Sequence, residues 1–138
     1  MEKASILAAV SRKRLQFEVF DGSIDLKRLC QFLSRLQGKH RGPILVILDN
    51  LRLHHAKALK AWLAEQDGRI AVEYLPAYAP ELNPSEYLFG HTKQHGLRNY
   101  AAPNHAELKK RGRSHLQHIQ KRPSLIHSFW KMAGLNIT

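Results

Sequence analysis

With 138 residues, 43% of them hydrophobic, the chain is long enough for one domain with a real core, too short for two, and too apolar to be disordered. Its longest apolar run, residues 44–48, cannot span a bilayer, and the N-terminal residues lack the basic stretch of a signal peptide, so no membrane partner and a cytoplasmic setting are expected. One cysteine, Cys30, excludes an internal disulfide, and a net charge of +11 points to a polyanion as partner.

Residues 5–10 and 15–20 are predicted to form a strand hairpin joined through the basic stretch 11–14. Leu15, Phe17 and Val19 alternate with Gln16, Glu18 and Phe20, so one face should be buried more than the other. Asp21-Gly22 is a turn. A helix follows over residues 25–37, with Leu26, Leu29, Cys30, Leu33 and Leu36 on one stripe, ended by Gly38 and Gly42-Pro43. Residues 44–48 contain no polar side chain, the pattern of a strand covered on both faces, and the run stops at Asp49-Asn50. A helix over residues 55–66 should turn Ala58, Leu59, Trp62 and Leu63 inward. Residues 70–75 form a further strand, followed by a Pro-rich loop, a helix over 84–97, a break at Pro103, a basic helix over 105–121 and a short helical tail after Pro123. The order ββαβαβα with a helical extension argues a layered α/β fold.

Charge is unevenly distributed. Residues 1–86 carry 13 basic and 10 acidic side chains, whereas residues 87–138 carry nine basic ones, the single acid Glu107 and six of the nine histidines. A basic segment joined to a balanced one is the usual footprint of a polyanion partner, the alternative being a solvated basic face with no partner. Its candidate phosphate contacts are Lys93, Arg98, Lys109, Lys110, Arg111, Arg113, Lys121 and Arg122.

Two acids stand out. Asp49 follows the most apolar strand, where open α/β sheets place ligand and catalytic groups, and a carboxylate there suits a hard cation. It is equally a good turn former. Glu86 lies in Asn83-Pro84-Ser85-Glu86, a tetrapeptide that helix capping alone explains, with Asn83 as cap and Glu86 reaching back. His91 and His95 have the i, i+4 spacing of zinc ligands, but neither a glutamate between them nor a third ligand is evident. Trp62, Trp130 and Cys30 are read as packing residues.

Taken together, Leu48-Asp49-Asn50, His54-His55, Trp62-Leu63, the block Leu75-Pro76-Ala77-Tyr78-Ala79-Pro80-Glu81-Leu82-Asn83-Pro84-Ser85-Glu86-Tyr87-Leu88 and Lys93-Gln94 resemble the bacterial mariner-related insertion-sequence transposases of the DDE superfamily. The resemblance extends into residues 107–123 and so covers nearly the whole chain. It implies an RNase H-like three-layer fold in which residues 1–100 form the catalytic domain and residues 101–138 a basic helical extension of it. It implies Asp49 and Glu86, 37 positions apart, as the second and third acids of a site for Mg²⁺ or Mn²⁺. Metal-dependent cleavage and joining of DNA, at transposon ends and target, is the reaction implied. The family's first acid lies on a central strand upstream of the hairpin matched here by residues 5–20. That strand is read as absent, since Asp21 and Asp25 have ordinary turn and helix-start explanations. The expected activity is therefore that of a transposase fragment, inactive alone and completed by the upstream half of a split transposase. The alternative is a non-catalytic DNA-binding or dominant-negative remnant.

Overall fold

The computed structural model describes residues 4–49, 54, 56–76, 80–96 and 104–134, in two compact units. Asn50, His55, residues 77–79, Leu97, Arg98 and Pro103, each used in the sequence reading, lie outside the described residues.

One unit joins residues 1–23 to residues 81–138. Strands β1 (Ala4–Val10) and β2 (Leu15–Asp21) pair antiparallel, in register from Ala4 opposite Asp21 to Val10 opposite Leu15. Leu15 belongs to the buried cluster of Leu88, Leu116, Ile119, Ile126 and Phe129, with Phe17 and Val19 packed against it. The expected face therefore does carry the core contact. Phe20, in the opposite phase, is buried as well, so the hairpin is not one-sided.

The helix predicted over residues 84–97 is two pieces, α3 (Pro84–His91) and a π-helical turn, Thr92–Gly96. The change falls where the Thr92 hydroxyl donates to the Leu88 carbonyl at 3.0 Å, a side chain taking part in the helical ladder. Helix α4 (His105–Gln120) starts at Asn104, whose side chain accepts from the Glu107 N–H at 2.9 Å. It buries Gly112, Leu116 and Ile119. The tail after Pro123 is a full helix, α5 (Pro123–Met132), with Ile126 and Phe129 deep in the core. Polar contacts fix both helices to the hairpin: Gln120 Nε2 donates to the Leu15 carbonyl at 2.9 Å, and Trp130 Nε1 to the Ser11 carbonyl at 2.7 Å.

Residues 24–80 form the other unit. Helix α1 (Leu26–Gly38) is capped by Asp25, whose carboxylate accepts from the Arg28 N–H at 2.8 Å. Its buried residues are Leu29, Phe32, Leu33 and Leu36. Phe32 was missed, while Leu26 and Cys30 are only half-buried; with Ala58 and Trp62 they line a shallow groove of about 620 Å³. Strands β3 (Ile44–Leu48) and β4 (Ile70–Tyr74) run parallel, joined through helix α2 (Lys57–Ala64) as parallel strands require. Of the four residues expected to point inward from α2, Leu59 is buried, Trp62 and Leu63 are half-buried, and Ala58 is exposed.

The two-sided burial expected of residues 44–48 is not found. Leu48 is buried, but Leu45 is 61% and Ile47 53% exposed. These two share a face opposite Ala71 and Glu73 of β4, and nothing among the described residues covers it. A run of apolar residues reports the surroundings a strand is suited to, and here one half of them is lacking. The four described strands fall into two separate pairs, β1 with β2 and β3 with β4.

Candidate metal-binding acids and basic face

Asp49 is the first residue beyond β3, and its side chain is 36% exposed. The imidazole of His54, only 12% exposed, places Nδ1 at 2.8 Å from Asp49 Oδ1 and 3.1 Å from the Asp49 carbonyl. Behind it, the Tyr74 hydroxyl donates to the His54 carbonyl, and the Leu75 N–H donates to Leu48 O at 2.8 Å. The strand end is thus tied to its parallel neighbour on both sides of the aspartate. Sequence alone marked Asp49 and left His54 between a role near the DNA and helix-start packing or capping, without its contact to Asp49; the signal was a histidine five residues beyond an acid at a strand end.

Glu86 stands in the first turn of α3 in the other compact unit. Asn83 caps that helix as expected, accepting from the Ser85 N–H at 3.0 Å, and Pro84 occupies the first turn. The reciprocal contact of a capping box is not made. Glu86 is exposed, and among the described residues its carboxylate has no hydrogen bond or ion pair. Capping therefore explains Asn83 and Pro84 but leaves the carboxylate of Glu86 unused. Hard oxygen donors at both positions fit Mg²⁺ or Mn²⁺ in kind. No group of three or more His, Cys, Asp or Glu among the described residues is arranged to hold an ion.

The acids set aside in the sequence have other partners. Asp25 is a helix cap. Asp21 Oδ1 lies 2.9 Å from Lys109 Nζ and 2.7 Å from His105 Nε2, which tethers α4 to the end of β2. The Lys109 ammonium, and after it His105, holds the Asp21 carboxyl below the usual carboxylate range.

On α4 the side opposite Gly112, Leu116 and Ile119 presents Lys110, Arg111 and Arg113 to solvent, and Lys121 and Arg122 continue it beyond the helix end. Lys93 is exposed on the π-helical turn. Several of the predicted phosphate contacts have partners within the protein, among them Lys109 in its ion pair, Arg113, whose guanidinium donates to the Val19 carbonyl at 3.4 Å, and Arg111.

His91 Nδ1 lies 3.3 Å from His115 Nε2, with the rings stacked at 5.3 Å and the His95 ring 4.4 Å from that of His91. Burial, then neighbouring cations and histidines, pushes both His91 and His115 below the ordinary histidine value of 6.5. The folded state thus resists protonation that the unfolded chain accepts. The stability this pair contributes is present above pH 6.5 and lost as pH falls through the lowered folded values. The thermal midpoint should drop by a few degrees between pH 7 and pH 5, and by less in His91→Gln, as thermal melts across that range will show.

The family model described as DDE superfamily endonuclease matches residues 1–109. No curated protein matches significantly. Among solved structures, the catalytic domain of Mos1 mariner transposase matches with a TM-score of 0.68 at 18% identity, over 97% of this chain and 73% of that one. The same domain with Raltegravir and Mg gives 0.67 at 19%, over 96% and 69%. The Mos1 mariner paired end complex with Mn gives 0.67 at 19%, over 96% and 40%. The fold is thereby the RNase H-like α/β fold of that catalytic domain.

Proposed function

The chain belongs to the DDE endonuclease superfamily, and from that premise we propose that it is part of a transposase catalytic domain, with Asp49 and Glu86 as the second and third acids of a site for Mg²⁺ or Mn²⁺. Family and fold together support a transposase-related function. The observation that carries the finer reading is the state of the two carboxylates. Asp49 is fixed at a strand end yet over a third exposed, and Glu86 is exposed and unused by the cap it sits in. Similar catalytic domains have been solved with Mg and with Mn, and one in a paired end complex. Divalent ions held by such acids activate a water or a DNA 3′-hydroxyl and stabilise the leaving oxygen in phosphodiester cleavage and joining. Asp49 and Glu86 supply hard oxygens while leaving room for substrate phosphate oxygens. An Asp49→Ala or Glu86→Ala change should abolish metal-dependent nicking by the completed domain.

The first acid, and the strand that carries it, come in this reading from an upstream polypeptide. Two observations support that: the described strands form two separate pairs, and one face of β3 is bare. Residues 1–100 then form the partial catalytic domain and residues 101–138 its helical extension, in keeping with α4 and α5 packing into the cluster that holds Leu15 and Leu88. The protein acts in the cytoplasm, on the nucleoid. None of its described helices is long and apolar enough to cross a membrane.

Transposon-end and target DNA is the partner, held through phosphates by Lys93, Arg98, Lys110, Arg111, Arg113, Lys121 and Arg122, with Lys109 contributing when released from Asp21. Binding by the chain alone should be weak, indifferent to sequence and steeply salt-sensitive, because displaced counterions drive it. Replacing Lys110 and Lys121 together by Gln should weaken it severalfold and flatten the salt dependence by about two phosphate contacts, read by fluorescence anisotropy on random and terminal-repeat duplexes. Strong preference for one sequence would point to a recognition element outside this face. The basic face also favours a second reading, a DNA-binding remnant without catalysis, in which these same contacts persist and the acids are dispensable.

A further inference from the structure

We propose that His54 is the positioning residue for Asp49, a role that rests on Asp49 being a metal ligand. The geometry is specific about protons. Nδ1 of His54 faces two oxygens, the carboxylate Oδ1 at 2.8 Å and the main-chain carbonyl of the same residue at 3.1 Å. Neither oxygen of an ionised aspartate can donate, so Nδ1 carries the hydrogen and shares it between them. In the neutral ring this fixes the Nδ1–H tautomer and leaves the lone pair on Nε2.

The arrangement is anchored from behind. The imidazole is 12% exposed while the carboxylate it holds is 36% exposed, so the ring meets Asp49 from the more buried side. His54 is itself fixed through its main chain, where its carbonyl accepts from the hydroxyl of Tyr74. Tyr74 is the last residue of β4 and sits opposite Leu48, the residue before Asp49. A closed loop of contacts results: Leu48 to Tyr74 across the sheet, Tyr74 to His54, and His54 back to Asp49. A carboxylate on a loop otherwise samples several rotamers, and each one lost on binding a cation weakens the site. Holding one oxygen and the adjacent carbonyl with a single donor removes that freedom beforehand. Partners of this kind orient metal-ligating side chains, and their loss costs about 10–100-fold in metal affinity.

Two measurements on the full chain test this. Long-range ¹⁵N–¹H NMR at neutral pH should show Nδ1 of His54 protonated, with its resonance shifted in Asp49→Asn. Titration with Mn²⁺ should show binding weakened about 10–100-fold in His54→Ala. The affinity should largely be restored in His54→Asn, whose amide N–H can stand in for Nδ1–H, and should fall by a smaller factor in Tyr74→Phe. Circular dichroism of each variant separates loss of the contact from loss of fold, and the Asn variant keeps the test valid where the Ala variant does not fold. A bare Nδ1, or wild-type Mn²⁺ affinity in folded His54→Ala beside lost affinity in Asp49→Asn, overturns the positioning role while Asp49 stays a ligand. Wild-type affinity in Asp49→Asn overturns the ligand assignment itself and the positioning role with it.

Discussion

Purified alone, the chain should leave supercoiled DNA intact in Mg²⁺ or Mn²⁺, and nicking should appear when an upstream polypeptide carrying the first strand and its acid is added. Two-metal phosphoryl chemistry needs enough carboxylate oxygen to hold both ions while substrate oxygens share them. Neither acid considered as a substitute for the first is available: Asp21 is taken by Lys109 and His105, and Asp25 caps α1. In the completed assembly, Asp49→Ala and Glu86→Ala should each reduce nicking below detection, since each removes oxygens no neighbour replaces. His105→Ala, which loosens the Asp21 tether, should leave nicking within severalfold of wild type. Metal-dependent cleavage by the chain alone, lost in Asp49→Ala, would mean that this sequence contains the first acid after all.

The isolated chain should also be marginally stable and prone to aggregate, and the cause is located in β3. Leu45 and Ile47 are more than half exposed, and leaving each uncovered forgoes on the order of 1 kcal/mol of burial. That is a substantial share of a total of about 5–15 kcal/mol. Exposed apolar side chains on a strand also favour non-native association. Ile47→Lys should therefore raise the soluble yield and slow light-scattering growth of the isolated chain. If the upstream polypeptide covers this face, the same change should weaken its association at least tenfold, as co-purification and analytical ultracentrifugation can measure. Improved solubility with undiminished association would place the partner elsewhere; no change in solubility would remove β3 as the cause.

What the sequence disclosed and what it hid follow from the range of the interactions. Hairpin, helices and strands were legible because apolar periodicity, Asp25, Asn83 and Pro84 act within a few residues. The β3 error has the same source. An unbroken run from Ile44 to Leu48 states that a strand can be covered on both faces, and only the rest of the fold decides whether it is. The π-helical turn begins at Thr92, whose hydroxyl reaches the Leu88 carbonyl, a detail that periodicity does not register. Long-range polar contacts were silent: Asp21 meets His105 at a separation of 84 residues, and Trp130 meets Ser11 at 119. For the candidate site, Asp49 and Glu86 were visible as residue types at structural junctions, and the block around Asn83 gave the family. The grip of His54 on Asp49 was not visible, because it depends on how the chain returns after the strand. Nor could the sequence tell whether Glu86 closes the capping box around Asn83, which turns on one hydrogen bond.

Asp49 and Glu86 are proposed as the second and third acids of one metal site. Paramagnetic broadening by Mn²⁺ tests it most directly. In the ¹⁵N-labelled chain, substoichiometric Mn²⁺ should broaden the amide signals around Asp49 and around Glu86 together, over the same concentration range, and Asp49→Ala should abolish both effects. Broadening confined to the neighbourhood of Asp49, with the first turn of α3 unaffected at saturation, would contradict the account and leave Glu86 as a surface residue of a capped helix.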